Sequence, residues 1–316
     1  MTTLLSLTTI LAWGCWIPLA QAVPGVPQRS RTFYVTLGNA AFALAALAVG
    51  GGHVVFGWRQ FWLPFAGGVV WTGGNYSAFR ATESIGLARA SGSWTPLNII
   101  VAFVWGALLF GELRTFDAAR FAVLGTALAF VMAGILFIIR SQDARVIPAG
   151  QVKTPARVEP VVPATRARTG EAGGNYRRGL LLSCAAGVLW GSYFIPAQWA
   201  KVPAQVSNFP LALGILAAGL ILVMTAGGPA RLNPRNTAVQ LAAGVLFGAG
   251  DVTLLGLVSR VGTGVGFTIA QLSLLVNVGI GIFVFKVPKP HSHAARVALI
   301  GVLLAGAGGV VIASLR

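Results

Sequence analysis

The segment AGVLWGSYFIPAQ at residues 186–198 is strongly apolar, yet it also carries Trp, Tyr, Ser, Gln and a Pro. A similar segment, LAWGCWIPLAQ, occupies residues 11–21. Both contain a Trp-Gly pair, an aromatic residue three positions after the Trp, a nearby Pro, and a Gln eight positions after the Trp. Four shared features in the same order, about half a chain apart, predict an internal duplication.

The composition is that of a membrane protein. Of the 316 residues, 56% are hydrophobic and 9% are charged, and the mean hydropathy is +0.78. A soluble globule of this length needs more polar surface, so we predict an all-α polytopic membrane protein. The formal net charge is +16, but the basic residues lie between apolar segments. This pattern indicates membrane topology and no nucleic-acid partner.

Ten apolar segments are long enough to span a bilayer. Because lipid cannot satisfy free backbone polar groups, and because these runs lack the alternation of a barrel strand, each is predicted to be a helix. The predicted spans are residues 4–22, 33–51, 62–79, 90–110 and 117–139, followed by 179–199, 209–227, 237–257, 264–286 and 295–315.

A central segment divides the spans into two sets of five. Residues 141–178 are rich in Pro, Ala, Gly and Arg and have no apolar periodicity, which predicts a flexible basic linker. The first five-helix repeat is then residues 1–140 and the second is residues 179–316. An odd number of spans per repeat reverses the second copy, so we expect an inverted-topology repeat with a pathway between the halves.

The positions of Lys and Arg predict the orientation of the chain. Of the 23 Lys and Arg residues, 17 lie in the connections after the odd-numbered spans, and eight of these lie between Arg140 and Arg178. The positive-inside rule places these connections in the cytoplasm. Both termini are then expected to face outward, and the linker is expected to be a cytoplasmic tether.

The third and eighth spans carry a second repeat signature. GVVWTGGN at residues 68–75 parallels GVLFGAGD at residues 244–251, and Ile85-Gly86 parallels Val261-Gly262 at the same offset. Small residues at helical spacing predict close helix approach. They include Gly187, Gly191, Gly244 and Gly248.

These motifs resemble the glucose uptake and rhamnose-proton symporter group of the drug/metabolite transporter superfamily. The resemblance is carried by residues 190–196, residues 71–75, Phe110-Gly111-Glu112 and residues 259–271, and it runs through nearly the whole chain except the linker. It implies a ten-helix transporter of the cell (inner) membrane that takes up a monosaccharide together with protons.

The resemblance also assigns positions within the helices. The polar positions of the family in the third, fourth, eighth and ninth helices fall on Asn75, Asn98, Asp251 and Gln271. The chain departs from the family pattern at two places. Phe285-Lys286 stands where the ninth helix usually ends in Gly-Glu, and Asp251 stands where Asn is common.

Amide and aromatic side chains inside the spans are the candidate substrate contacts. An interhelical hydrogen bond compensates a buried amide by about 0.6 to 2 kcal/mol, so such amides face other helices or a wet cavity. The indoles lie too deep for an interfacial belt, and an apolar wall with a few amides suits a small polyol. Helix packing is the alternative for each residue. The predicted set is Trp13, Trp16, Gln21, Trp71, Asn75, Asn98, Trp190, Tyr193, Gln198 and Gln271.

Trp13 and Trp190 hold equivalent places in the two repeats. Each lies a few residues before a Pro, where a broken helix can expose backbone groups to a substrate. We therefore expect both indoles to line opposite sides of one cavity near the bilayer midplane.

Asp251 is the only acidic residue that the predicted spans place well inside the membrane. A carboxylate at a helix centre costs roughly 2.5 to 3.5 kcal/mol, and a wet cavity or proton uptake avoids part of that cost. The residue is therefore a candidate proton-coupling site. The alternative is an Asp held permanently by neighbours in its own helix or by a donor such as Gln271 or Asn277.

Other classes of protein fit the sequence less well. The chain contains no GxxxxGK[ST] loop and no His-Glu-x-x-His motif, and His291-x-His293 has no third metal ligand, so we predict no enzyme, cofactor or metal site.

The expected partners are a sugar, protons and the lipid bilayer. An exporter of drugs, amino acids or other metabolites remains open because the fold does not set the cargo. A membrane scaffold or receptor is the alternative of another class, and a divalent-cation channel needs more intramembrane carboxylates.

Overall fold

The computed structural model describes residues 1–49, 56–85, 87–114, 116–143, 172–284, 286 and 289–314. Within these residues the chain forms twelve helices and no strand. They are α1 (Thr2–Gln21), α2 (Gln28–Val49), α3 (Trp58–Ile85), α4 (Leu87–Leu109), α5 (Ala118–Asp143), α6 (Ala172–Trp190), α7 (Ile195–Trp199), α8 (Ala204–Met224), α9 (Pro234–Val261), α10 (Thr263–Gln271), α11 (Ser273–Phe283) and α12 (His293–Ser314).

Each predicted span overlaps one helix or two successive helices. α6 and α7 share the sixth predicted span, and α10 and α11 share the ninth. Eight segments of the described chain are helices both long and apolar enough to cross a membrane, which confirms a multi-pass helical membrane protein. α3 and α4 fall outside those eight, so ten crossings stay a prediction. Residues 144–171 of the predicted linker lie outside the described residues.

Helices from the two halves of the chain are interleaved. α1 packs antiparallel to α9. The Thr9 hydroxyl donates to the Thr253 hydroxyl at 2.8 Å, and the Gln240 amide donates to the Ala20 carbonyl oxygen at 2.8 Å, so residue numbers rise along α1 as they fall along α9. α3 packs against both α6 and α8, while α2 packs against both α8 and α9. α5 and α12 pack together. The halves therefore share one core.

Glycines bring α2 and α9 into backbone contact. A β-carbon at Gly38 would lie 2.2 Å from the carbonyl oxygen of Leu241, and one at Gly244 would lie 2.1 Å from that of Val35. Both distances are too short for a real side chain, so the helices meet at this separation only because both positions are glycine. The predicted packing role of Gly244 is confirmed.

α3 and α8 make the same kind of contact. A β-carbon at Gly214 would lie 2.0 Å from the carbonyl oxygen of Phe65, and one at Gly68 would lie 2.1 Å from that of Leu211. Each of these four positions lies 176 residues from its counterpart in the α2–α9 contact. The two interfaces are thus built from equivalent positions of the two halves.

The predicted helix break occurs in the second half of the chain but not in the first. α6 ends at Trp190, and four residues in turn conformation precede α7. α1 instead continues through Pro18 to Gln21. The expectation of a break beside Trp13 is therefore wrong. The difference lies after the Trp-Gly pair, where the Ser192 hydroxyl accepts a hydrogen bond from the Trp105 indole and donates to the Val188 carbonyl oxygen.

Candidate functional site

Five aromatic side chains from α1, α3, α9 and the turn before α7 pack in one apolar core. We call Trp13, Trp16, Trp71, Tyr193 and Phe247 the aromatic cluster, and all five belong to the same apolar core. The Phe247 ring lies 4.7 Å from that of Trp71, 5.2 Å from that of Trp16 and 6.5 Å from that of Trp13, measured between centroids. Helices α1, α3 and α9 therefore meet through their aromatic side chains.

Each half of the chain places an indole against a glycine of the other half. A β-carbon at Gly250 would lie 2.7 Å from Nε1 of Trp13, and one at Gly74 would lie 2.9 Å from Nε1 of Trp190. The Trp190 ring also makes an edge contact with that of Trp94 at 5.5 Å. Any side chain at Gly74 or Gly250 would displace an indole.

Asp251 follows Gly250 and is fully buried. Its Oδ1 accepts a hydrogen bond from the Tyr193 hydroxyl at 3.1 Å, which joins α9 to the interruption between α6 and α7. Its Oδ2 has no hydrogen-bond partner among the described residues, and the same holds for Nε1 of Trp13. The Trp13 indole nevertheless interacts with the Asp251 carboxylate, so a donor and an acceptor that lack a hydrogen bond of good geometry lie close together on α1 and α9. The alternative donors Gln271 and Asn277 do not bind Asp251: the Asn277 amide donates to Ser273 in its own helix.

Asn75 and Asn98 are both buried, at 4% and 3% exposure. The Asn75 amide donates to the Thr32 hydroxyl at 3.4 Å, and Asn75 directly follows Gly74, the glycine under Trp190. Oδ1 of Asn98 has no hydrogen-bond partner within the described part of the chain. Asn98 lies on α4 beside the end of α6. A β-carbon at Gly191, the residue after α6, would lie 2.7 Å from the backbone carbonyl oxygen of Asn98.

The three predicted glutamines make no hydrogen bond to the aromatic cluster or to Asp251 among the described residues. Gln21 is exposed at the end of α1, and Gln271 is half-buried at the end of α10. Oε1 of Gln198 accepts a hydrogen bond from the Thr263 hydroxyl at 2.8 Å, which connects α7 to α10. The structure therefore brings four of the predicted aromatic residues together with Asp251, whereas the glutamines make no bond to this group. The four are Trp13, Trp16, Trp71 and Tyr193.

Comparison with known proteins identifies the family. The family model described as "Sugar transport protein" matches residues 4–154 and 161–315. The chain belongs to the sugar transport protein family. A "Putative sugar uptake protein" of Listeria innocua is 25% identical over 99% of this chain and 98% of its own length. A "Probable glucose uptake protein" of Priestia megaterium is 22% identical over 98% of this chain and 97% of its own length.

A protein of known crystal structure has the same fold. It superposes with a TM-score of 0.63 at 21% identity and covers 100% of this chain and 99% of its own. The chain is thus a multi-pass membrane sugar transporter of the sugar transport protein family, which is not a class of enzymes.

Three buried amides of this sugar transporter were not singled out from the sequence. Asn39 and Asn208 have no hydrogen-bond partner for either side-chain atom among the described residues, and Oε1 of Gln240 is likewise unpaired. Oδ1 of Asn39 lies against α9, 2.5 Å from the position of a β-carbon on Gly248. Asn39 and Gln240 each interrupt a predicted apolar span, which is the signal that could have identified them.

Two cavities of the transporter lie outside the aromatic cluster. A groove of about 490 Å³ between α4 and α5 is lined by apolar residues such as Ile100, Val104 and Leu128. A smaller cavity of about 80 Å³ lies beside Glu112 and Val265. The apolar lining of the groove suits an acyl chain better than a sugar, whose hydroxyls need polar partners.

Proposed function

We propose that this sugar transporter takes up a neutral monosaccharide together with protons, by alternating access between two inverted repeats. The observation that carries the proposal is the paired arrangement around two buried polar residues. Trp13 lies against Gly250 beside Asp251, and Trp190 lies against Gly74 beside Asn75. Two equivalent half-sites of this kind suit a solute bound between repeats.

The helix contacts support the inverted repeat. With α6–α12 taken as the second copy of α1–α5, the α1–α9 contact corresponds to α6–α3, and the α2–α9 contact corresponds to α8–α3. α5 with α12 is a contact between equivalent helices. Exchange of the two halves therefore maps the main interfaces onto one another, as a two-fold axis in the membrane plane requires.

The unpaired groups of the half-sites match the chemistry of a polyol. Indole N–H groups only donate hydrogen bonds, a carboxylate oxygen accepts them, and a sugar hydroxyl does both. A hydroxyl placed between Nε1 of Trp13 and Oδ2 of Asp251 would satisfy both groups, which lack partners among the described residues. The faces of Trp71 and Phe247 supply apolar surface for the C–H face of a sugar ring.

The aromatic cluster is closed in this conformation. The Phe247 ring lies 4.7 to 6.5 Å from the three indoles, measured between centroids, so a sugar enters only when the repeats separate at one face. Asp251 would couple this movement to protons. Burial favours the neutral form of a carboxyl group and hydration favours the charged form, so a site opened alternately to the two faces can bind and release a proton.

A sugar panel tests the proposed substrate. Purified protein is heated with glucose, rhamnose, their epimers, an amino acid and a hydrophobic cation. A ligand that binds only the folded state at 100 times its Kd stabilises it by about 2.7 kcal/mol, which raises the apparent melting temperature. We expect stabilisation by one monosaccharide over its epimers, followed by counterflow of that sugar in proteoliposomes. Stabilisation only by the cation or the amino acid would favour an exporter.

A further inference from the structure

The end of α4 is bound to the start of α10 by the Glu112 carboxylate. Its Oε1 accepts a hydrogen bond from the backbone N–H of Thr263, and its Oε2 accepts one from that of Gly264 at 3.2 Å. The first N–H groups of a helix have no partner within the helix, and the helix dipole favours a negative charge beside them. A side chain of the first half of the molecule therefore caps a helix of the second half.

The same contact extends to a third helix. The Thr263 hydroxyl donates to Oε1 of Gln198, so Glu112, Thr263 and Gln198 join α4, α10 and α7, and we call these three residues the clasp. The carboxylate is closely surrounded: a β-carbon at Gly106 would lie 2.5 Å from Oε2, and one at Gly262 would lie 2.9 Å from Cδ. Gly262 has φ of 89°, a conformation that glycine adopts without strain.

Lys286 cannot form the equivalent contact at the opposite face of the bundle. Ile85-Gly86 parallels Val261-Gly262, so the start of α4 corresponds to the start of α10. The family resemblance places Phe285-Lys286 at the end of the ninth span, where the fourth span ends in Gly111-Glu112. Lys286 is exposed, and its ammonium group only donates hydrogen bonds. It cannot accept from the N–H groups at the start of α4, and a positive charge beside a helix N-terminus is unfavourable.

We propose that Glu112 biases the transporter toward the conformation that is closed at the Glu112 face. This rests on the alternating access proposed above. Opening that face separates α4 from α10 and breaks both hydrogen bonds of the carboxylate, whereas opening the other face breaks no matching contact at Lys286. Removal of the carboxylate shifts the ratio of the two conformations about tenfold toward opening at the Glu112 face, which corresponds to about 1.4 kcal/mol.

Two cysteine reporters in α4 measure which face is open. Ala102 lies in the half of α4 nearer Glu112 and Ala90 in the other half, and both are fully buried. Ala102→Cys and Ala90→Cys are made singly, with Cys15 and Cys184 replaced by Ser. Labelling by a water-soluble maleimide is followed with the full-length protein in nanodiscs. We expect Glu112→Ala to accelerate labelling at Ala102→Cys about tenfold and to slow labelling at Ala90→Cys.

The matched control is Asp117→Ala. Asp117 is also an acidic cap on the Glu112 face, but among the described residues its Oδ1 accepts a hydrogen bond only within its own segment, from the backbone N–H of Arg120 in the helix that follows it. Loss of that cap leaves α4 and α10 joined, so both labelling rates stay unchanged.

Lys286→Glu supplies a carboxylate at the opposite face. We expect it to change both labelling rates in the same direction as Glu112→Ala.

Several outcomes would overturn the clasp proposal. Equal labelling in Glu112→Ala and Asp117→Ala would do so, and faster labelling at both reporters would indicate general loosening instead of a bias between faces. If Glu112→Ala does not fold, Glu112→Gln and the surface variant Lys286→Glu decide, and no shift in either contradicts the proposal. Labelling needs no sugar, so a failure of the sugar panel leaves this test intact.

Discussion

Asp251 is the residue at which the proposed proton coupling is tested most directly. Asp251→Asn keeps the shape of the side chain and an acceptor for the Tyr193 hydroxyl, but it cannot titrate. We expect this variant to retain sugar counterflow and to lose accumulation driven by a pH gradient, measured in proteoliposomes. Asp117→Asn, at an exposed acid, serves as the control and retains both activities. Unchanged pH-driven accumulation in Asp251→Asn would exclude Asp251 as the coupling site.

The indole N–H groups of Trp13 and Trp190 give a second test at single residues. Phe keeps an aromatic face and removes the donor, and one hydrogen bond contributes about 0.5 to 1.5 kcal/mol. We therefore expect Trp13→Phe and Trp190→Phe each to raise KM for sugar uptake by about 2- to 10-fold. Trp199→Phe is the control because Trp199 is 66% exposed at the end of α7. An equal KM in all three variants would show that the indoles only pack.

Sequence reasoning anticipated the aromatic cluster better than the buried amides. Trp13 and Trp190 were recognisable because each stands in a repeated motif, and the motif is visible without a structure. Gln21 shares that motif but is exposed at the end of α1. A repeated sequence motif does not determine whether a given side chain is buried. Asn39 was missed because its position against Gly248 depends on how α2 crosses α9.

At the scale of helices, the glycine contacts determine how closely α2 and α9 pack. Gly244→Ala places a methyl group where the β-carbon lies 2.1 Å from the Val35 carbonyl oxygen. Overpacking of this kind typically lowers the free energy of unfolding by about 1 to 3 kcal/mol, and any larger residue at this position is also expected to destabilise the fold. We expect a lower melting temperature and less monodisperse protein by size-exclusion chromatography.

Gly279→Ala provides the control for that helix prediction. Gly279 lies in α11 and has open space around its α-carbon, with no described atom within 4 Å of a β-carbon. Ala is favoured over Gly in a helix by about 0.8 to 1.0 kcal/mol, so this variant should be as stable as the parent or more stable. Equal destabilisation by Gly244→Ala and Gly279→Ala would contradict the close-packing account.

The helices themselves followed from the apolar runs, whereas their interruptions did not. Pro18 and Pro196 occur in equivalent motifs, yet the chain leaves the helix only before Pro196. The difference depends on tertiary contacts: the Trp105 indole binds Ser192, and the Tyr193 hydroxyl binds Asp251. Neither contact is local in sequence, so the motif alone could not distinguish the two copies.

For the whole molecule, the sequence predicted a duplicated helical membrane protein because hydropathy and span length are properties of the chain itself. Which helices pack against each other is not a property of any single segment of the chain. α1 lies against α9 and α3 lies against α6 and α8, so nearest neighbours in space come from opposite halves of the chain. Glycine spacing indicated that close contacts exist, but not which helices make them.

The predicted linker can be tested at this scale by shortening it. α4 packs against both α5 and α6, and neighbouring helix axes lie about 8 to 10 Å apart, so the axes of α5 and α6 are at most about 20 Å apart. Deletion of residues 154–166 leaves 15 residues between the end of α5 at Asp143 and the start of α6 at Ala172. An extended chain of that length reaches about 50 Å, more than twice the separation of the two helix axes.

We therefore expect the shortened transporter to fold and to transport sugar at the parental rate. The matched comparison is a chain in which residues 154–166 are replaced by a Gly-Ser segment of equal length, which restores the spacing but removes the basic residues Arg157 and Arg166. Parental uptake by both variants, normalised to the amount of protein at the membrane, supports a tether with no part in substrate binding. Loss of uptake in both, with normal membrane levels, would assign a transport role to the side chains of the segment, because length is lost in only one of them.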